Sequence, residues 1–390
     1  MTSRAPHIST LILLTAVSTL SLNMFLPALP AIAKDLSAPV TVIILAASGY
    51  LALTAFVQLL VGPLSDRIGR RPVLLVALVI FSGASLFCAL AEDVTTFLIA
   101  RLCQGAVITG FVLAMAIVRD TRNEADSVSL IGYITAAMAL APMIGPMVGG
   151  ALDTLLGWRA IFWLYGAAGI GLFALCWKDL TETAPKTTTH PFSALGLFKN
   201  KHFLAYAGCT AFSTSTFYIF VTGTPLVAPQ TFGMTSAQLG LGIGSITTGF
   251  MFGSFLSGRL ANEVDTLSLI LAGRLAASLG LSGGILLSLT GHLSAVLFFT
   301  STLFVGLGNG LTMPGANAKA MSVGPTQTGG AAGLSGALTV LVGAVLTWGT
   351  GQFLDSSNGV TILLVMMLAT AALSLSSALW AKRLTALASE

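Results

Sequence analysis

The chain has 390 residues, 55% of them apolar and only 8% charged, with a formal net charge of +4. A soluble domain carries about 25% charged residues, so a surface facing water cannot be built here, and lipid is the solvent that fits. The positive balance does not indicate a nucleic-acid partner, because the basic residues lie in short loops between apolar runs and not on one face of a domain.

A bilayer span needs about 20 apolar residues. Cutting the chain at polar and Pro/Gly-rich interruptions predicts twelve spans, at 8–32, 42–62, 72–90, 95–117, 128–151, 159–178, 202–228, 236–258, 266–289, 293–316, 329–352 and 359–381. The expected fold class is an all-α membrane protein of twelve transmembrane helices in two six-helix halves. The first apolar run has no A-x-A-like cleavage site and is expected to stay as the first helix. The polar stretch 179–201 divides six spans from six. It is expected to be a linker between an N-terminal half, 1–178, and a C-terminal half, 202–390, and its Thr, Pro and Lys content does not suit a core. With the N-terminus in the cytoplasm, fourteen basic residues fall on that side and only Lys34 and Arg159 outside. Both termini are then cytoplasmic.

In chain order, the first span carries Asn23-Met24-Phe25-Leu26-Pro27-Ala28-Leu29-Pro30. Between the second and third spans lies a tight cationic turn, with Gly62, Asp66, Arg67, Gly69, Arg70 and Arg71 in the order G-x-x-x-D-R-x-G-R-R. The arginines enforce cytoplasmic placement, and Asp66 can accept hydrogen bonds at a facing helix N-terminus. The plain alternative is a solvated topogenic loop. The fourth span holds Arg101, Gln104 and Gly105 as R-x-x-Q-G, and Val118-Arg119-Asp120 follows it. An arginine at membrane depth costs about 2.5–3.5 kcal/mol on insertion scales, so it is expected to have a partner or a role unless it snorkels to the interface. The fifth span carries Gly132, Ala141, Gly145, Pro146, Gly149 and Gly150. Small residues on one face allow close helix approach, and Pro146 removes a backbone donor and bends the helix. Gly157-Trp158-Arg159-Ala160-Ile161-Phe162-Trp163 enters the sixth span.

These stretches resemble the major facilitator superfamily of membrane transporters, and within it the drug/proton antiporters of the bicyclomycin and chloramphenicol resistance type. The likeness spans nearly the whole chain and is strongest in the first half. It implies parallel halves with nested inverted repeats, alternating access and a substrate site near the midplane between the halves. It implies that Asp66 and its arginines, with Asp120, latch the outward-open state against the start of the eleventh helix near Gly329. The fifth-span glycines match the family's antiporter motif, which shapes that helix at the interface of the halves, with Ala141 replacing one expected glycine. A bacterial inner membrane location, a monomer, and protons and a small-molecule substrate as partners are implied in the same way.

One position departs from the pattern. The family commonly has aspartate where this chain has Asn23, and that acid is thought to take up the proton beside the fourth-helix arginine. Asparagine does not ionise, though it can hydrogen-bond to Arg101 as a protonated acid would. No carboxylate lies at the midplane of any span. Either coupling uses another group or is absent, or Asn23 is an introduced mimic of the protonated state. With Arg101 and no anion in the cavity, neutral or anionic substrates are expected over organic cations.

Tyr50, Met138, Phe217, Phe220, Met251, Asn309 and Met313 fall near the midplanes of their spans and are candidate cavity residues. The four cysteines read as buried small apolar residues, and the four histidines have no metal-ligand spacing. No metal or cofactor is implied. No Walker A loop, G-x-S-x-G or His/Glu metal pair is present, so an enzyme is not expected. The leading expectation is an exporter of small amphipathic compounds in exchange for protons. The alternative is an exporter or facilitator of an amino acid, sugar or siderophore, and loops of about 20 residues at most leave little for a non-transporting scaffold.

Overall fold

The computed structural model describes residues 6–121, 124–183, 197–260, 263–321, 328–354 and 358–389. Within them, residues 119, 124–129, 131–133, 135–140, 328–332 and 387–389 are described as backbone alone. Every regular element among the described residues is helical. Among the described residues, eleven helices are long and apolar enough to cross a membrane. They are α1 (Ile8–Asp35), α2 (Val40–Ile68), α3 (Arg70–Leu90), α4 (Val94–Val118), α6 (Arg159–Asp179), α7 (Lys201–Phe232), α8 (Ser236–Leu260), α9 (Thr266–Leu289), α10 (Ala295–Met321), α11 (Gly333–Gly351, within the longer helix Thr328–Gly351) and α12 (Gly359–Ala386). The helix Glu124–Leu156, 33 residues long, takes the fifth place as α5. Most of these helices outrun the predicted apolar spans at their ends, because helical hydrogen bonding continues beyond the apolar run that marks a span in sequence.

Two helices are interrupted where the sequence removes or tightens hydrogen bonds. In α1 the α-helical stretch Ile8–Asn23 ends in a 3-10 turn, Leu26–Ala28, before helix resumes at Leu29–Asp35. Pro27 and Pro30 have no N–H to continue the ladder. In α4 a 3-10 turn, Gln104–Val107, separates Val94–Cys103 from Ile108–Thr121. Ser18 Oγ donates to the Val107 carbonyl at 2.7 Å, satisfying an acceptor at that break.

Helix starts are capped as the residue types dictate. Asp93 caps α4, accepting from the Thr96 hydroxyl at 2.6 Å and its N–H at 2.9 Å, which holds the Asp93 carboxyl below its ordinary range. Asp265 caps α9 through the N–H groups of Leu267 and Ser268.

The chain forms two compact units, Met1–His190 and Pro191–Glu390. In the first, α1 packs on α5 and α3 on α6; in the second, α8 and α9 pack on α10, and α7 packs on α11 and α12. The linker stretch contributes to both cores, against expectation: Leu180 is buried with Leu74, Leu113 and Cys176, and Leu197 with Phe203 and Ile270. Each apolar residue anchors its own end of an otherwise polar segment. Cys103 is also a correction. It is exposed on α4, while Cys88, Cys176 and Cys209 are buried, because Arg101 and Gln104 take the inward face of that helix.

Aromatic rings knit the first half together. Trp158, just before α6, and Phe162 and Tyr165 on it interlock with Phe97, Phe25 and Phe81 at centroid spacings of 5.4–6.3 Å. Arg159 closes one end of this stack, bridging Asp35 at 2.5 Å and the Ala91 carbonyl at 3.0 Å.

Candidate functional site

Arg101 is fully buried, and its environment is built from the two helix breaks. Its Nη2 donates to the Ser21 carbonyl at 2.7 Å, and Nη1 to Gln104 Oε1 at 2.6 Å. Nε donates to the Ala46 carbonyl on α2 at 3.2 Å. The planar guanidinium lies between the rings of Phe25 and Tyr50, each 4.1 Å away. Gln104 in turn donates to Ser85 on α3 at 2.7 Å. One guanidinium therefore ties α1, α2, α3 and α4 together, using the fork geometry that lysine lacks. Among the described residues no carboxylate pairs with it. Burying a charge this way is costly unless every donor is engaged, and backbone carbonyls and π faces do that work here.

Asn23 lies two residues beyond Ser21 and, although its amide could reach a guanidinium, it is not hydrogen-bonded to Arg101. Its Nδ2 donates to the Thr19 carbonyl at 2.8 Å, and its buried Oδ1 has no partner. Arg101 is instead drawn to Ser21, whose carbonyl lies just ahead of the break in α1. Tyr165 donates to the neighbouring Leu20 carbonyl at 2.8 Å.

The small-residue face of α5 is where α1 lies. A Cβ on Gly149 would overlap the Met24 carbonyl, and one on Gly145 would come within 3.2 Å of Leu20 Cδ2 and 3.5 Å of the Met24 N. Pro146, Gly150 and Ala141 are buried on the same helix, and the Gly132 surroundings fall outside the described side chains. Within the first half, Gly145 and Gly149 seat the Asn23–Met24 break of α1, because that irregular backbone needs a neighbour without side chains.

The 62–72 turn has its own network. Arg70 is nearly buried and binds Asp66 Oδ1 at 2.7 Å, Ser65 Oγ at 2.6 Å and Asp120 Oδ2 at 3.1 Å. Gly69 adopts φ of +113°, a conformation reserved for glycine. Its missing Cβ leaves room for Glu182, whose carboxylate accepts the N–H of Arg70 at 2.8 Å and of Arg71 at 3.3 Å. Glu182 therefore caps α3 from the linker, a role the sequence did not reveal. Arg67 is exposed, and a Cβ on Gly62 would meet nothing within 4 Å. The start of α11, where the latch was expected, lies outside the described side chains.

A second buried arginine was missed as a site residue. Arg274 on α9 donates to Thr312 Oγ1 at 2.9 Å and to Asn309 Oδ1 at 2.8 Å, and its Nη1 has no partner. Asn309 passes the network on to the Ser213 carbonyl at 3.1 Å. The available signal was an arginine within a span facing a Gly308-Asn309-Gly310 step. Arg274→Ala would leave Asn309 Oδ1 and a cavity behind, and should cost about 3 kcal/mol, read as a lower melting temperature in detergent.

The remaining cavity candidates divide. Tyr50 is buried against Arg101 and bonds Ser21 Oγ at 3.2 Å. Phe220 is fully buried among Phe298 and Phe299 inside the second half, where large rings fill the α7–α10 packing. Phe217 and Met313 are half-buried, and Met251 is exposed. Met138 falls outside the described side chains.

A sequence profile described as the Major Facilitator Superfamily matches residues 11–347. The chain belongs to the major facilitator superfamily. It is a multi-pass membrane transporter and not an enzyme. Among similar proteins, the multidrug resistance protein MdtL of Shewanella oneidensis is 29% identical over 91% of this chain and 90% of its own. A chloramphenicol resistance protein of Pseudomonas aeruginosa is 30% identical over 75% of this chain and 71% of its own. A solved bacterial homologue of the human lysosomal transporter Spinster shares the superfamily fold at 17% identity, with a TM-score of 0.78 over 96% of this chain and 95% of its own.

Proposed function

We propose that this protein exports small amphipathic compounds, of amphenicol type among others, in exchange for protons by alternating access, from a bacterial inner membrane with both termini in the cytoplasm. The observation that carries the proposal is the Arg101 cage: a buried guanidinium bound to the break in α1 next to Asn23. A charge so placed feels any ionisation at position 23 strongly, since screening by water is absent. The names of the drug-resistance relatives support the substrate class. In this proposal Arg101 and Gln104 respond to position 23, while Asp66, Arg70 and Asp120 stabilise one access state.

A second reading is favoured by one feature. Asn23 does not ionise, and no carboxylate meets Arg101 among the described residues. The protein would then facilitate or export a metabolite without the usual proton site.

The test uses liposomes carrying a pH-sensitive dye and an imposed proton gradient, with the native chain and Asn23→Asp compared on chloramphenicol. Asn23→Asp is expected to make transport pH-dependent, since it introduces a titrating group beside Arg101. Proton flux driven by substrate with Asn23 in place would locate coupling elsewhere. Substrate flux without proton movement in both forms would establish the facilitator.

A further inference from the structure

We propose that the groove between the start of α3 and the end of α6 binds an anionic glycerophospholipid by its headgroup. The groove is a cavity of about 630 Å³ lined by Arg71, Leu75, Trp177, Lys178, Leu180 and Glu182, among others. Its size falls in the range of about 300–1,000 Å³ found for small-molecule sites.

Its charge is one-sided where it matters. Glu182 is turned to the N-terminus of α3, its oxygens held by the N–H groups of Arg70 and Arg71. That carboxylate is thus spent on the helix end. Arg71 donates through Nη2 to the Trp177 carbonyl at 2.9 Å and lies 5.0 Å from the Trp177 ring, but its buried Nε–H has no acceptor. Lys178 pairs with no carboxylate among the described residues. Two cations therefore border one cavity with hydrogen-bonding capacity to spare.

Position decides the occupant. The groove lies where two helices long and apolar enough to span a membrane end, which places it at headgroup level in a bilayer, with the exposed Trp177 ring and Pro72 on its apolar side. Basic pockets between helices at this depth bind lipid phosphates, and aromatic side chains settle there too. A phosphodiester would meet Arg71 and Lys178 while its acyl chains follow the exposed Pro72 and Trp177 into the bilayer. A free phosphate would leave that apolar side uncovered.

Native mass spectrometry of the purified full-length protein, equilibrated with phosphatidylglycerol or phosphatidylcholine, tests this. Phosphatidylglycerol should be retained in clear preference to phosphatidylcholine. Lys178→Met should reduce that retention about fivefold, the value of one cation near a membrane surface, and Lys178→Arg should preserve it. Arg71→Gln provides an independent second variant, and an unchanged melting temperature shows that each is folded. Equal retention of both lipids, or retention unaffected in both neutral variants, would overturn the proposal. So would displacement of the lipid by inorganic phosphate, which would make the groove a free-anion site. The inference does not depend on which substrate is carried.

Discussion

Arg101→Ala is expected to abolish transport and to destabilise the protein. The substitution strips donors from the Ser21 carbonyl, the Ala46 carbonyl and Gln104 Oε1 at once, all within a fully buried pocket. Each abandoned acceptor costs about 1–3 kcal/mol, so a total of about 4 kcal/mol or more is expected before the cavity between Phe25 and Tyr50 is counted. Arg101→Lys separates charge from geometry. The ammonium keeps the charge but cannot bridge α1, α2 and Gln104 together. It should fold more stably than the alanine variant and still transport at least about tenfold more slowly than the native chain, a loss of roughly 1.4 kcal/mol or more. Detergent melting and vesicle transport measure the two effects separately. Full transport in Arg101→Lys would mean that charge alone matters, and native melting of Arg101→Ala would mean that the cage holds nothing together.

Gly149→Ala should be nearly as damaging, although it adds a single methyl group. That carbon has no room, because the Met24 backbone carbonyl occupies its place. A helical Gly→Ala change normally stabilises by roughly 1 kcal/mol, so the sign itself is diagnostic. Overpacking of this kind costs about 1–3 kcal/mol, and here it pushes α1 off α5 at Asn23–Met24. Lower stability and loss of transport are expected together. Gly83→Ala and Gly171→Ala are the controls, since a Cβ at either position meets nothing within 4 Å. Both should melt at or above the native temperature. If Gly149→Ala does the same, α1 and α5 are not in contact as described.

Much of the architecture follows from the sequence alone. Apolar runs of bilayer length permit little besides helices, because every backbone polar group in lipid has to be satisfied within its own segment. The ordered glycines and arginines of the 62–72 turn, and Arg101 with Gln104, are legible because a charge or a strict small-residue spacing within an apolar chain is rare and expensive. The α1 break was not marked by the single expected span 8–32, although Pro27 and Pro30, which withhold their N–H groups, account for it.

What those residues touch was decided only by tertiary structure. Asn23 and Arg101 were legible as neighbours able to hydrogen-bond, and the structure has the guanidinium bind the Ser21 carbonyl near the break. No pattern of side chains announces which backbone acceptor will be left free. Gly145 and Gly149 are visible as a packing face, but a face does not name its neighbour, and the neighbour is α1. Glu182 looked like a linker residue and caps α3 across 112 positions of sequence. Arg274 became part of a site only when α9 met Asn309 on α10. The sequence determines which groups are too costly to leave alone in lipid, because that cost belongs to each residue. The fold determines which group satisfies which, because hydrogen bonds and close packing are short-ranged and depend on where the helices cross.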